Sequence, residues 1–177
     1  MATFCIIDID TTIANNDHRD PLLVRGEDGE FTQESWNAFM HPDAVVLDAP
    51  QEHALHVLNH MRAMDFTVVF LTGRNESHRA VTDLWLVRHM GKTPLEDLVM
   101  RPAEKFDVPA TTCKESMFLA WVETNLGPEN DASFLFFEDN KHVLQVWKKY
   151  GLVFQCPVAW VSLNPEVPAE QERAWTR

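Results

Sequence analysis

The sequence predicts an α/β fold: a Rossmann-like parallel sheet with helices on both faces and a small cap inserted after the first strand. Three observations carry this. Short apolar runs of strand length recur at residues 4–8, 66–71, 98–100 and 134–137. Stretches with apolar residues three and four apart lie between them, as helices require. Polar clusters close three of the runs: Asp8 and Asp10, Thr72 to Arg74, and Glu138 to Asn140. In parallel sheets ligands bind beyond the carboxyl ends of the strands, so these clusters are expected to face one site.

Taken in order, residues 4–8 are apolar enough for a buried strand. Residues 15–49 are polar and turn-rich, with Gly26, Gly29, Phe31, Trp36 and Phe39, and predict a cap insertion holding one short helix near 33–40. Pro50 is placed to open a helix carrying Ala54, Leu55, Leu58 and Met61. A second strand, 66–71, leads to a helix over 77–90 on which Val81, Leu84, Trp85 and Arg88 recur. Residues 98–100 form a third strand and 101–112 an irregular connection. A helix over 113–126 follows, with Met117, Leu119, Ala120, Trp121 and Val122. After the fourth strand, 134–137, comes a helix over 141–150 that stops at Gly151. Either 152–155 or 158–161 supplies the last strand. Residues 1–165 are expected to form one domain and 166–177 a loosely packed tail. Trp85, Trp121 and Trp147 sit among apolar residues at helical spacing and are expected in the core.

Composition narrows the function. At 177 residues with 45% hydrophobic residues the chain suits one folded domain with a real core. No apolar run approaches the ~20 residues of a membrane span. The start of the sequence shows no basic leader, and its three cysteines, Cys5, Cys113 and Cys156, lack metal spacing, so a cytoplasmic protein is expected. Fifteen basic against 27 acidic residues give a net charge of −12, which opposes extensive duplex binding but leaves room for a pocket that grips one phosphate.

Two carboxylates two residues apart at a strand end, Asp8 and Asp10, can serve one site: one as nucleophile toward phosphorus, the other as general acid and base. Facing a phosphate, they call for magnesium to neutralise the cluster. The plainer reading is an Asx turn. Thr72, Gly73 and Arg74 offer a hydroxyl, an approachable backbone and a phosphate-binding fork, or simply a strand-to-helix turn. Glu138 and Asp139 offer hard oxygen ligands, although Asp139 equally suits a helix N-cap. Lys114 alone reads as a surface lysine. His53, His56 and His60 on one helix suggest a metal face less well than a partly exposed surface. Trp36 and Phe39 either stack on a base or pack the insertion onto the sheet.

Asp8-Ile9-Asp10-Thr11-Thr12 resembles the first motif, DxDx[TV], of the haloacid dehalogenase-like superfamily. Phe70 to Arg74 resembles its second, Lys114 its third, and Glu138-Asp139 its fourth. The resemblance implies a phosphatase with Asp8 as nucleophile, Asp10 as general acid/base, and phosphate contacts from Thr72 and Lys114. Asp8, the Asp10 backbone carbonyl and Asp139 would hold Mg2+, with Glu138 nearby. Thr11 departs from the usual glycine. The succession from Leu98 onward, with Arg19 eleven residues after Asp8, is similar to the 3′-phosphatase domain of phage-type polynucleotide kinase, in which arginines matching Arg19 and Arg74 handle substrate phosphate. No GxxxxGK[ST] loop is present, so the kinase half is missing. The expected substrate is a 3′-phosphate at a nucleic-acid end; a 5′-nucleotidase acting on mononucleotides, a phosphotransferase and a non-catalytic nucleotide-binding module are the alternatives.

Overall fold

The computed structural model describes residues 2–157 and 159, except 28, 30, 106 and 107. Along the chain, β1 (Thr3–Ile7) leads to β2 (Ala14–Asn15), then α1 (Gln33–Phe39), α2 (Pro42–Val45) and β3 (Ala49–Pro50). Next come α3 (Ala54–Ala63), β4 (Thr67–Asn75), α4 (Arg79–Met90), β5 (Asp97–Arg101), α5 (Ala110–Asn125), β6 (Ser133–Glu138), α6 (Lys141–Trp147) and β7 (Leu152–Gln155). The main sheet has five parallel strands in the order β5-β4-β1-β6-β7. The chain moves outward from β1 on one side and then crosses to the other through α5. The order therefore reverses between β1 and β6, which is where parallel sheets open a ligand crevice.

The two-residue period of β1 sorts its side chains. Cys5 and Ile7 join the core built with Val57, Leu58 and Met61 of α3 and Trp85 and Leu86 of α4. Phe4 and Ile6 face the opposite way, toward Met117, Phe118 and Trp121 of α5 and Trp147 of α6. Helices thus cover both faces, as expected. Burying each such side chain contributes about 1.5–3 kcal/mol.

Several local expectations change. Pro50 opens no helix; it pairs with Ala14 in the antiparallel β2–β3 ribbon, which brings the two ends of residues 16–48 together. On α4 the buried stripe is Thr82, Trp85, Leu86 and Met90, while Leu84 is 61% exposed. The Trp85 indole N–H donates to the Asp48 carbonyl at 2.8 Å, which holds the helix in that rotation. On α5 Leu119 is exposed, and Cys113, Lys114, Met117, Phe118 and Trp121 form the inner face. The last strand is 152–155; the alternative, 158–161, lies almost wholly outside the described residues, and 166–177 lie outside them entirely. Trp85, Trp121 and Trp147 are buried. Among the described residues no helix is long and apolar enough to cross a membrane.

Candidate active site

Asp8 leaves the carboxyl end of β1 beside the end of β6, with its backbone N–H bonded to the Phe137 carbonyl at 3.0 Å. Its side chain is buried. Lys114, on the inner face of the first turns of α5, donates to Asp8 Oδ1 at 2.7 Å and to Glu138 Oε2 at 2.8 Å. Thr12 donates to Asp8 Oδ2 at 3.1 Å. Lys114 is therefore no surface lysine, and Asp8 is no solvated turn residue. Asp139 is not the N-cap of α6 either: the Asn140 side chain accepts from the N–H groups of His142 and Val143, which leaves Asp139 beside Asp8. Carboxylate oxygens of Asp8, Glu138 and Asp139 all lie within 4.8 Å of one another. This is the one group of three or more such ligands that converge among the described residues.

Three carboxylates crowd one ammonium here. Burial, reinforced by Glu138, pushes Asp8 up to about 7 in spite of Lys114. Burial likewise raises Glu138 and, with the help of Asp8, Asp139. Burial alone would lower Lys114, but Asp8 and Glu138 outweigh it and hold its ammonium firmly charged. The hard oxygen donors and their unbalanced negative charge fit a magnesium ion.

Asp10, two residues on, lives in a different environment. Its side chain is 24% exposed and accepts from Arg74 Nε at 2.9 Å and Arg74 Nη2 at 2.8 Å, and from Arg19 Nη2 at 2.8 Å. Behind it, Asp48 takes Arg19 through Nε and Nη2, each at 2.8 Å, and Arg74 Nη2 at 2.8 Å. Burial works against the Asp10 carboxylate, but Arg74 and then Arg19 overcome it and hold the carboxyl far below its usual range. Burial keeps Asp48 above its usual range despite the same arginines.

Asp48 went unnoticed in the sequence; its only signal is a lone acid in the apolar stretch Val45-Val46-Leu47-Asp48-Ala49. Arg19 and Arg74 are fully buried, and their guanidiniums are occupied by carboxylates rather than open to solvent. Arg74 Nη1 is the exception, buried with no hydrogen-bond partner among the described residues.

The cavity above these groups holds about 980 Å³ and is walled on one side by Phe31, Trp36 and Phe39 of the insertion. Asp8, Asp10, Lys114, Glu138, Asp139 and Gly73 line it, whereas Thr72 does not. Thr72 is fully buried, and its hydroxyl accepts from the Arg74 N–H at 3.1 Å. The cavity wall continues instead with Asn75, Ser77 and His78, residues with no motif to mark them. A Cβ on Gly73 would meet nothing within 4 Å, so the glycine exposes backbone rather than relieving a clash. Thr11 adopts a φ of 63°, the left-handed region that explains why glycine is usual there and that costs other residues about 1–2 kcal/mol. Its amide is bonded to the Ala14 carbonyl at 2.9 Å and is not free for phosphate.

An acid at the end of the central strand, a lysine reaching it from the helix before β6 and an acid pair closing β6 are the arrangement of a haloacid dehalogenase-like phosphatase domain. The chain belongs to the family described as the polynucleotide kinase PNKP phosphatase domain, which it matches over residues 24–158. That span begins after Asp8 and Asp10, so the structure rather than the match brings them to the site. The chain is similar in fold to Pnkp1 in the Pnkp1/Rnl/Hen1 complex, with a TM-score of 0.61, 19% identity, and coverage of 88% of this chain and 46% of that one. A second structure, the Pnkp1/Rnl/Hen1 RNA repair complex, gives a TM-score of 0.62 at 19% identity, over 88% and 42% of the two chains. The class C acid phosphatase from Bacillus anthracis with tungstate bound gives 0.55 at 14% identity, over 98% and 76%. The chain thus spans less than half the length of the Pnkp1 chains it matches. No curated protein matches it in sequence.

Proposed function

We propose that this chain is a magnesium-dependent phosphomonoesterase that works through an aspartyl-phosphate on Asp8 and removes 3′-phosphate from nucleic-acid ends. The observation that carries the reading is Asp8 at the switch point of the sheet, 2.7 Å from Lys114 and within one ligand shell of Glu138 and Asp139.

Asp8 attacks phosphorus with a carboxylate oxygen, and the bond from phosphorus to the leaving oxygen breaks. Asp10 gives that oxygen a proton. It then takes a proton from water, whose oxygen attacks the aspartyl-phosphate, releases inorganic phosphate and restores Asp8. Because Arg74 and Arg19 hold Asp10 ionised, it is ready for the second half of the cycle and must take up a proton for the first. Lys114 places a fixed charge beside the phosphoryl oxygens. Arg74, fully buried and absent from the cavity wall, acts on the reaction through Asp10, which it holds in place. Asp8 and Asp139, with the Asp10 carbonyl and Glu138 beside them, would hold magnesium, which supplies the positive charge that lets a phosphate approach three carboxylates.

Family membership and the Pnkp1 found in an RNA repair complex support a nucleic-acid end as substrate. A free nucleoside monophosphate is the second reading, favoured because Arg101 and Lys114 are the lysine and arginine side chains on the cavity wall, which is little for tracking a phosphodiester backbone. The test measures phosphate release with magnesium from 3′- and 5′-phosphorylated oligonucleotides and from 3′- and 5′-mononucleotides, with Asp8→Asn and a chelator as controls. Release confined to 3′-phosphates on oligonucleotides supports end processing. Preference for free mononucleotides makes the second reading the correct one. No release from any of them, nor from an aryl phosphate, overturns both.

A further inference from the structure

Trp36 is a large aromatic side chain that the domain leaves on the cavity wall. It is 37% exposed, while Phe39 on the same helix is 6% exposed. The two rings stack, with centroids 5.5 Å apart and planes 20° from parallel. The Arg19 guanidinium lies over the Phe39 ring, 4.4 Å from its centroid, and reaches Asp10 at 2.8 Å. A stacked column therefore runs from Trp36 on the cavity wall through Phe39 and Arg19 to the Asp10 carboxylate. Phe39 is the packing residue of the pair. It covers one face of Trp36, and the indole, still 37% exposed, contributes to the cavity wall.

Gln33 and Asn37, on the same helix, also line the cavity. Gln33 donates to Asn37 Oδ1 at 2.8 Å, which leaves the Gln33 carbonyl oxygen and the Asn37 amide N–H groups to offer to a ligand. A rigid π-face flanked by an acceptor and a donor is the chemistry that recognises a heteroaromatic ring. An apolar ligand would not need the amides, and a bare sugar phosphate would not need the indole. The cavity, at about 980 Å³, has room for a ring as well as a phosphorylated sugar.

We infer that Trp36 is the stacking platform for the nucleobase attached to the phosphorylated sugar, with Gln33 and Asn37 at the base edge. The assignment rests on the phosphatase reading for the position of the phosphate at Asp8. It makes residues 33–39 of the insertion the part that selects the substrate. Stacking tolerates every base, so discrimination among bases is weak and comes from the two amides.

The experiment measures binding apart from turnover, by equilibrium dialysis on the full chain carrying Asp8→Asn, with magnesium. One arm pairs a 3′-nucleoside monophosphate with the same sugar phosphate lacking the base. The other pairs a 3′-phosphorylated oligonucleotide with one whose terminal nucleotide is abasic. The expected result is binding about ten-fold or more tighter for the base-bearing member in at least one arm. That advantage disappears on adding Trp36→Ala and largely survives Trp36→Phe. A gain in the first arm identifies free nucleotides as the source of the base, and a gain confined to the second identifies strand ends. Equal binding within both pairs, or a preference that survives Trp36→Ala, overturns the inference. Phosphate release by the native chain is assayed separately. Base-dependent binding without release leaves the Trp36 site standing and removes the phosphatase reading. Release together with equal binding within both pairs does the reverse.

Discussion

Asp8 and Asp10 are two residues apart, yet they belong to clusters of opposite design. Asp8 and Glu138 share Lys114, and Asp139 lies beside them without a contact to it, so three carboxylates crowd a single ammonium. Asp10 and Asp48 share Arg19 and Arg74, so two carboxylates meet two guanidiniums. The first cluster carries excess negative charge and suits an added cation. The second is balanced, satisfied by short charge-assisted bonds, and acts as a rigid mount for Asp10. Asp8 is pushed up to about 7 because its one lysine does not offset burial and Glu138, and Asp10 is held far down because Arg74 and Arg19 do offset burial. Asp48, on the same two arginines, stays above its usual range because burial prevails there.

The sharpest way to separate the clusters is to remove one acid from each. Asp8→Asn is expected to lower kcat for phosphate release by at least about 1,000-fold, whereas Asp48→Asn lowers it on the order of 10–100-fold through a displaced Asp10. Steady-state kinetics on one substrate decides this, and equal losses would erase the distinction. In stability the order inverts. Asp48→Ala leaves Asp10 as the one carboxylate for two buried guanidiniums and is expected to cost about 3–5 kcal/mol in urea unfolding, while Asp8→Asn relieves repulsion and stabilises the metal-free protein at neutral pH.

Magnesium provides the next contrast. At a hundred times its dissociation constant it is expected to raise unfolding stability by about 2.7 kcal/mol. Asp139→Asn should remove most of that gain and Asp48→Asn should leave it; urea midpoints with and without the ion measure both.

The smallest effect is in pH, and its sign differs between the clusters. Asp8 has a folded value near 7 against 3.8 for a free carboxyl, so in chelator its contribution is fullest below about pH 4 and is lost as pH rises through 7. Asp10 is depressed below 3.8, so its contribution is present above about pH 4 and is lost only as pH falls through its folded value. Urea midpoints of the metal-free chain between pH 4 and 7 should therefore slope downward, and the slope should flatten in Asp8→Asn but persist in Asp10→Asn.

Much of the frame was legible because its signals are local. The strands around 4–8, 66–71, 98–100 and 134–137 are apolar runs of the right length, and the structure has a strand at each. Helix faces were less legible. Leu84 fits a helical stripe as well as Leu86 does, and the tertiary packing of Trp85, Leu86 and Met90, with the Trp85 bond to Asp48, selects the buried face. Pro50 carries a helix-start signal, yet the β2–β3 ribbon claims it. At the site, Asp8, Asp10, Lys114, Glu138 and Asp139 were readable from motif order, and the structure gathers them around one cavity. Arg19, Arg74 and Thr72 were expected to face phosphate directly, and all three are fully buried and absent from the cavity wall. Asp48 was invisible because it acts from 38 residues beyond Asp10 with no spacing to mark it.

By itself, the sequence determined where the main strands fall, that the sheet is parallel, and which acids and which lysine match the family's motif order. Periodicity and side-chain chemistry are properties of neighbouring residues, and they survive in one dimension. The tertiary structure alone decided how charge is distributed among those groups. It placed Lys114 between Asp8 and Glu138, closed Asp48 onto two arginines, and turned Trp36 toward the cavity while Phe39 packed beneath it. Ionisation and exposure depend on burial and on partners far away in the chain, so they exist only once the fold has brought those partners together.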